Sequence, residues 1–203
     1  TRRQPRSTQS RSSAASDVYK RQVVNPAAGK DIRRLVAHGS VFGNREKVNY
    51  TIRILLGFDQ ITTAPIKLIY MPDPYELIET VIDEVGKSLK NIEFEKAPIT
   101  VFGDEADTTH FAQYISKKPN VSALVVLGGD GTNRLVAKYS RKIPLFSISA
   151  GTNNVFADNI EPTICGMALG YFINGWVKKD QVLERKKLLR IFQENIEKGI
   201  ALV

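Results

Sequence analysis

The stretch LVVLGGDGTNRLVAK, Leu124 to Lys138, sets two glycines, a carboxylate, a third glycine and a hydroxyl at the mouth of an apolar run. Glycine lets a backbone turn tightly and approach an anion closely. Successive backbone N–H groups at a helix start form a positive concavity suited to phosphate. Gly128, Gly129 and Gly131 can build such a loop, and Thr132 can cap the helix or bond a phosphate oxygen. Asp130 needs a separate reason, because a carboxylate repels phosphate. It makes sense if it holds a metal on the phosphates or takes a proton from an attacking hydroxyl. The same residues also make a plain Gly-Asp-Gly turn with an aspartate cap, and on this stretch alone the two readings are balanced.

Two further turns are of the same kind. SAGTNNVFADN, Ser149 to Asn159, repeats the arrangement one unit later, where Asn153 and Asn154 each offer a donor and an acceptor to ribose hydroxyls, adenine edges or phosphate. Taken alone it reads as an Asx turn into a short helix. NPAAGK, Asn25 to Lys30, is the third, and Lys30 could reach a phosphate. The Walker spacing G-x-x-x-x-G-K-[ST] is absent, and GGDGTN is not the dinucleotide fingerprint in its usual first turn.

The elements around these turns alternate. Val23 and Val24 end a strand, and Asp31 to Ala37 suits a short helix. Val48, Ile52, Leu55 and Leu56 recur at helical spacing from Lys47. PIKLIYMPDP gives a strand, followed by a helix that Asp73 caps and Pro74 opens. Strands are expected around Ile99 to Phe102, at Val121 to Leu127 and at Ile143 to Ser149, with helices over roughly 107–117, Asn133 to Ser140 and Glu161 to Trp176. The continuous apolar run at Val121 suits a parallel strand buried on both faces. Strand–helix alternation predicts right-handed βαβ units: an α/β fold with a Rossmann-like parallel sheet and helices on both faces. Ligands of such sheets sit at the carboxyl ends of the strands, and all three Gly-rich turns fall on that edge.

Both ends read differently. Residues 1–22 hold Arg2, Arg3, Arg6, Arg11, Lys20 and Arg21 against Asp17, which is five of the chain's net +8. With almost nothing to bury, the segment is expected to be disordered. SSAASDVYKRQ resembles a translated sequencing-adapter tail, so residues 1–22 are read as non-native and set aside. The rest carries about +3, no argument for nucleic acid. At the other end, Leu188 to Phe192 and Ile200 to Val203 could be two strands around ENIEKG, or the first could be helical. Residues 23–180 are read as one domain and 181–203 as the start of a truncated, β-rich second one.

Composition is ordinary for a globular chain, with 42% hydrophobic and 25% charged residues among 203. No window approaches about 18 apolar residues, so no stable membrane insertion is expected; a cytoplasmic location is the expectation. The single cysteine, Cys165, cannot form an internal disulfide, and His38 and His110 are isolated, so no zinc cluster is expected.

VVNPAAGK, LVVLGGDGTNR and ISAGTNNVFA, in this order and spacing, resemble the ATP-NAD kinase family, and within it the NAD kinase-like branch of the acetoin-catabolism X type. Diacylglycerol and sphingosine kinases share the Asn-Pro turn, the GGDGT loop and a later Gly-Thr-x-Asn element. RKKLLRIFQENIEKGIALV is similar to that branch's passage into its second domain. The resemblance covers about residues 23–203. It implies a two-domain kinase using ATP and Mg²⁺, with NAD as acceptor and with Asp130 activating the 2′-hydroxyl of the adenosine ribose. Gly128, Gly129, Gly131 and Thr132 would form the phosphate loop. Gly151, Thr152, Asn153 and Asn154 would line the same cleft, with Asn25 and Gly29 opposite. Metal ligands stay unassigned, and so does self-association. The Asn-Glu pair that holds the NAD ribose in ordinary NAD kinases has no clear counterpart. A kinase for a lipid or other small alcohol, and a non-catalytic nucleotide-binding regulator associated with acetoin catabolism, are therefore the alternatives. With much of the cleft outside this stretch, the chain alone is expected to be inactive.

Overall fold

A computed structural model describes residues 19–24, 43–140, 143–150 and 154–202. Five parallel strands form one sheet: β1 (Tyr19–Val24), β2 (Ile66–Tyr70), β3 (Ile92–Lys96), β4 (Val121–Gly128) and β5 (Leu145–Ser149), in the spatial order β3-β2-β1-β4-β5. The helices are α1 (Asn44–Ile61), α2 (Leu77–Val85), α3 (Glu105–Ser116), α4 (Asp130–Tyr139), α5 (Pro162–Ile173) and a single turn, α6 (Lys179–Val182). The expected Rossmann-like α/β architecture is what forms.

β4 shows why the sheet is parallel and double-covered. Ala123, Val125 and Leu127 join a core with α1, α2 and α5, while Leu124 and Val126 join another with α3 and α4. Every second side chain changes face, and both faces are apolar, so a helix layer lies on each. On the first face α1 and α5 meet across glycines. A Cβ on Gly166 would run into the backbone of Ile54 and Phe58, and one on Gly170 would lie 2.6 Å from Ile61 Cβ. Cys165 packs beside this seam, and burial, with Glu161 nearby, pushes its thiol up to about 11. The outer side of α5 leaves Ile164, Met167, Tyr171 and nearby Trp176 exposed or half-exposed.

Several expectations shift. Tyr19 to Gln22, set in the tail by composition, lie in β1, because a slot between β2 and β4 is filled by backbone pairing whatever the side chains. Residues 1–18 and the helix expected at Asp31 to Ala37 lie outside the described residues. No strand forms at Ile99 to Phe102. The strand is Ile92–Lys96, and pairing ends just beyond Ala97, whose N–H reaches Tyr70 O, because Pro98 has no N–H to continue the ladder. As the edge strand, β3 turns Ile92 and Phe94 inward and sets Glu93 and Glu95 against Lys67. Leu56 faces solvent at 36% exposure, and Ile54 and Phe58 take the core positions of α1. Asp73 does cap α2, accepting from Leu77 N at 3.0 Å, but the helix starts after Glu76 in a left-handed conformation, so Pro74 lies in the preceding turn.

Leu188 to Leu202 forms a separate antiparallel hairpin, β6 (Leu188–Gln193) and β7 (Ile196–Leu202). Glu194 and Asn195 both have left-handed backbone (φ 52° and 64°), as a two-residue hairpin turn requires. The two-strand option holds, and the second strand starts earlier than the sequence implies.

Gly166→Ala is expected to lower stability by about 1–3 kcal/mol through overpacking of the α1–α5 seam, measured by urea unfolding; an unchanged midpoint would contradict the seam. Because the folded thiol of Cys165 has the raised pKa, its contribution to stability is whole below about pH 9 and is lost as pH rises towards 11. Denaturation curves from pH 8 to 11 should therefore fall less steeply for Cys165→Ala than for the wild type.

Candidate functional site

The Gly-rich turn after β4 runs directly into α4. The helix begins at Asp130, three residues before the expected start, with Gly129 as its N-cap and no side-chain cap. None of the three glycines has a positive φ. Their smallness matters through neighbours. A Cβ on Gly128 would come within 3.0 Å of the Thr132 side chain, and one on Gly129 within 3.1 Å of Asn154 Oδ1. Gly131 faces open space, with nothing within 4 Å of where its Cβ would be. Thr132 is 5% exposed and packs back on Gly128.

Asp130 ties this turn to the loop after β5. Its Oδ2 accepts from Val155 N at 2.8 Å, and its Oδ1 accepts from Phe156 N at 3.0 Å and Ala157 N at 3.1 Å. Three consecutive N–H groups thus converge on one carboxylate, a nest of the kind that binds anions. Asn154 answers from the other side. Its Oδ1 accepts from Asp130 N at 3.3 Å, and its Nδ2 donates to Ser149 Oγ at 2.7 Å. Beyond Ser149, the bonds Ser149 N to Asp158 O (2.8 Å) and Asp158 N to Ser147 O (3.3 Å) lay the returning chain alongside β5.

The structure therefore brings together Gly128, Gly129, Asp130, Gly131, Thr132 and Asn154. Asn25, Gly29, Lys30, Gly151, Thr152 and Asn153 lie outside the described residues. Asn154 joins two loops through both polar atoms, a part its residue type did not announce. Asn133 and Ser149 were missed as site residues. Asn133 is fully buried, donates Nδ2 to Gly129 O at 3.0 Å and leaves Oδ1 without a partner. Its place one residue after GGDGT was the available signal. The amides of 155–157 carry no signal in residue type. His110 is exposed on α3, and among the described residues no cluster of three metal-ligating side chains occurs. No helix among them is long and apolar enough to cross a membrane.

Strand order and site together define a Rossmann-like α/β domain whose Gly-rich turn and anchoring carboxylate sit at the carboxyl edge of the sheet. A family model described as the ATP-NAD kinase N-terminal domain matches residues 40–176, and the chain belongs to the ATP-NAD kinase family. Acetoin catabolism protein X of Cupriavidus necator is 30% identical over 175 residues, covering 83% of this chain and 47% of that protein. NAD kinase of Thermococcus sibiricus is 29% identical over 103 residues, covering 47% of this chain and 36% of that protein. The chain thus spans about half the length, or less, of these curated relatives.

Asp130→Ala should free the amides of Val155, Phe156 and Ala157. Their hydrogen exchange should accelerate, and global stability should fall by about 1–3 kcal/mol. Unchanged protection at those three amides would show that the carboxylate does not hold the loop.

Proposed function

We propose that the chain is the nucleotide-binding half of an ATP-dependent phosphotransferase of the NAD kinase type, which phosphorylates a hydroxyl of NAD. The observation that carries this reading is the pairing of an open cradle at Gly131 with a carboxylate one residue before it, at a helix start on the carboxyl edge of the sheet. Family membership and the name of the Thermococcus relative support it.

In this reading Gly131 N, next to Asp130 N that Asn154 holds, donates to a phosphate oxygen, since the first turn of a helix has no intrahelical partners for its N–H groups. Gly131 leaves the room a phosphate needs. The carboxylate of Asp130 has about four acceptor positions, of which the amides use three, so one lone pair on Oδ2 remains. That lone pair takes the proton of the acceptor hydroxyl, which we assign to the 2′-hydroxyl of the NAD adenosine ribose. The hydroxyl oxygen bonds to the γ-phosphorus as the γ–β bridging bond breaks, and ADP departs with the electron pair. Most of the work is positioning and charge neutralisation. Mg²⁺, which favours phosphate oxygens and water over all-protein cages, would enter with ATP and neutralise phosphate charge. Asn25, Gly29, Gly151, Thr152 and Asn153 are proposed to line the remaining wall, and residues 181–203 to lead into the second domain. Self-association and a cytoplasmic setting belong to the same proposal.

A second reading has its own observation. A carboxylate that carries three amides has a reason to be there without chemistry, which suits a non-catalytic nucleotide-binding regulator.

Two variants of the full-length protein separate them. Asn154→Ala breaks the clamp from its other side and keeps the carboxylate; Asp130→Asn removes the base. Assayed with ATP and Mg²⁺ against NAD, diacylglycerol and sphingosine, the wild type should phosphorylate NAD. Asp130→Asn should reduce kcat at least about 100-fold, the scale of a lost general base, and well below Asn154→Ala. Undiminished turnover in Asp130→Asn would remove the catalytic assignment, and wild-type protein that binds nucleotide without turnover would favour the regulator.

A further inference from the structure

Asp130 brings a negative charge to the turn after β4, and a phosphate there would bring more. Backbone N–H groups at a helix start offer only partial charges against it. A full cation on the same helix would complete the balance. Helix α4, DGTNRLVAKY, carries two, Arg134 and Lys138. Lys138 lies two turns beyond Gly131 and is engaged elsewhere, 3.9 Å from Glu197 and over the Tyr139 ring. Arg134 is half-buried, and among the described residues its guanidinium has neither an ion-pair partner nor a hydrogen bond. A guanidinium has five N–H donors and keeps its charge at any ordinary pH, so partial burial without a partner is unfavourable. Asp130, four residues earlier, is spaced for a pair with it along the helix, yet both its oxygens go to the amides of 155–157.

Helix geometry says what this arginine overlooks. Residues three apart share a helix face, with Cβ positions about 5–6 Å apart. Helical side chains lean towards the N-terminus, over the turn before their own. The Arg134 stem therefore leans back over the turn that holds Gly131. Contact does not close that space, because nothing, the Arg134 side chain included, comes within 4 Å of where a Gly131 Cβ would be. On the hairpin side, bare backbone passes the guanidinium: Arg134 Nη1 is 3.7 Å from where a Gly199 Cβ would be. Glu197, two residues earlier on β7, turns to Lys138 and Arg190 instead, at 3.9 and 3.8 Å. An open glycine amide and an unpaired guanidinium thus stand on one helix face, one turn apart. The occupant that satisfies both is an oxyanion with several acceptor oxygens, and a planar guanidinium matches phosphate oxygens two at a time.

We propose that Arg134 is the cation that clamps the phosphate resting on the first turn of α4, through paired N–H···O bonds to its oxygens. This rests on the proposal that a nucleotide binds at that turn. It sets a positive charge against Asp130 from a residue that the loop glycines and asparagines do not include. Charge that builds on a phosphoryl group in transfer strengthens the same bonds, so the clamp serves rate as well as affinity. It also makes β7 a neighbour of the site, since the strand passes beside the guanidinium at Gly199.

The test is equilibrium binding by calorimetry with the full-length protein at fixed Mg²⁺, using ATP and inorganic tripolyphosphate as probes. Arg134→Gln, Arg134→Lys, Gly131→Asp and, as a charge control on the hairpin, Arg190→Gln are compared with the wild type, and thermal unfolding confirms that each folds. Arg134→Gln should weaken both probes by the same factor, about 10- to 100-fold, the range for a lost hydrogen bond to a charged group. Arg134→Lys should recover part of that loss, since lysine keeps the charge without the planar fork. Arg190→Gln should bind both probes as the wild type does. Unchanged affinity in Arg134→Gln overturns the clamp. So does a loss for ATP alone, which puts the arginine on the sugar or base, and so does an equal loss in Arg190→Gln, which makes the effect one of overall charge. If Gly131→Asp abolishes ATP binding while Arg134→Gln does not weaken it, the clamp falls and the phosphate turn stands. A wild type that binds neither probe overturns both. Should Arg134→Gln fail to fold, Arg134→Lys decides: full wild-type affinity in that variant overturns the paired bonds, and a partial loss for both probes supports them.

Discussion

The carboxylate of Asp130 accepts three consecutive backbone N–H bonds from a loop that begins only after the next strand. Parallel strands end at one edge, and each must hand the chain to a loop and a helix whose first N–H groups have no internal partners. Such an edge collects unpaired donors. A carboxylate is the efficient answer, because one group can accept several N–H bonds and its charge suits the positive end of a helix dipole. Several carboxylates among the described residues act this way. Asp73 holds the turn after β2, Asp107 holds the loop after β3, and Asp130 holds the loop after β5. The first two act within their own strand–helix unit. Asp130 reaches into the next unit, and with Asn154 returning the bond it makes two turns into one body.

That double attachment bears on any chemistry at the site. A group that both orders a loop and takes a proton cannot do the two independently. A carboxylate that gains a proton becomes a weaker acceptor, so its hold on the amides of 155–157 would slacken at the moment of proton transfer. A base in this position would therefore couple the reaction to the order of the loop beside it. The geometry around Gly131 points the same way. In a helix an open glycine costs stability relative to alanine, so its retention at α4 needs a reason outside the packing of this turn.

The legible parts of the fold were those where one physical signal dominated. β4 could be read because seven successive residues before the glycines are apolar or small, which only a doubly covered strand tolerates. α5 could be read from Pro162 and its unbroken apolar pattern, and the small residues within it did mark close packing. β3 was missed because an edge strand mixes signals: IEFEK alternates, but its charged half looks like surface, while the more apolar ITVF beyond it has Pro98 at its entrance and no partner. Leu56 was misjudged because the buried face of α1 runs through Ile54, Leu55 and Phe58, and the spacing of apolar residues alone does not show that Leu56 lies beyond its rim. At the site, residue types pointed to Asp130 and the glycines. The anchoring amides of 155–157 stayed hidden, since every residue but proline has one.

The hairpin adds a last constraint. Two antiparallel strands alone are marginal in water, and Leu189, Ile191, Phe192 and Ile196 all stand exposed on this pair. Among its contacts with the main domain are those to α4. Lys138 lies 3.9 Å from Glu197, and Gly199 sits over Arg134. An exposed ion pair at that distance contributes little by itself, so the attachment depends on packing, in which Gly199 lies within van der Waals reach of the Arg134 side chain. The helix that the hairpin leans on starts with Asp130. The hairpin therefore packs on the same helix whose first residue holds the β5 loop.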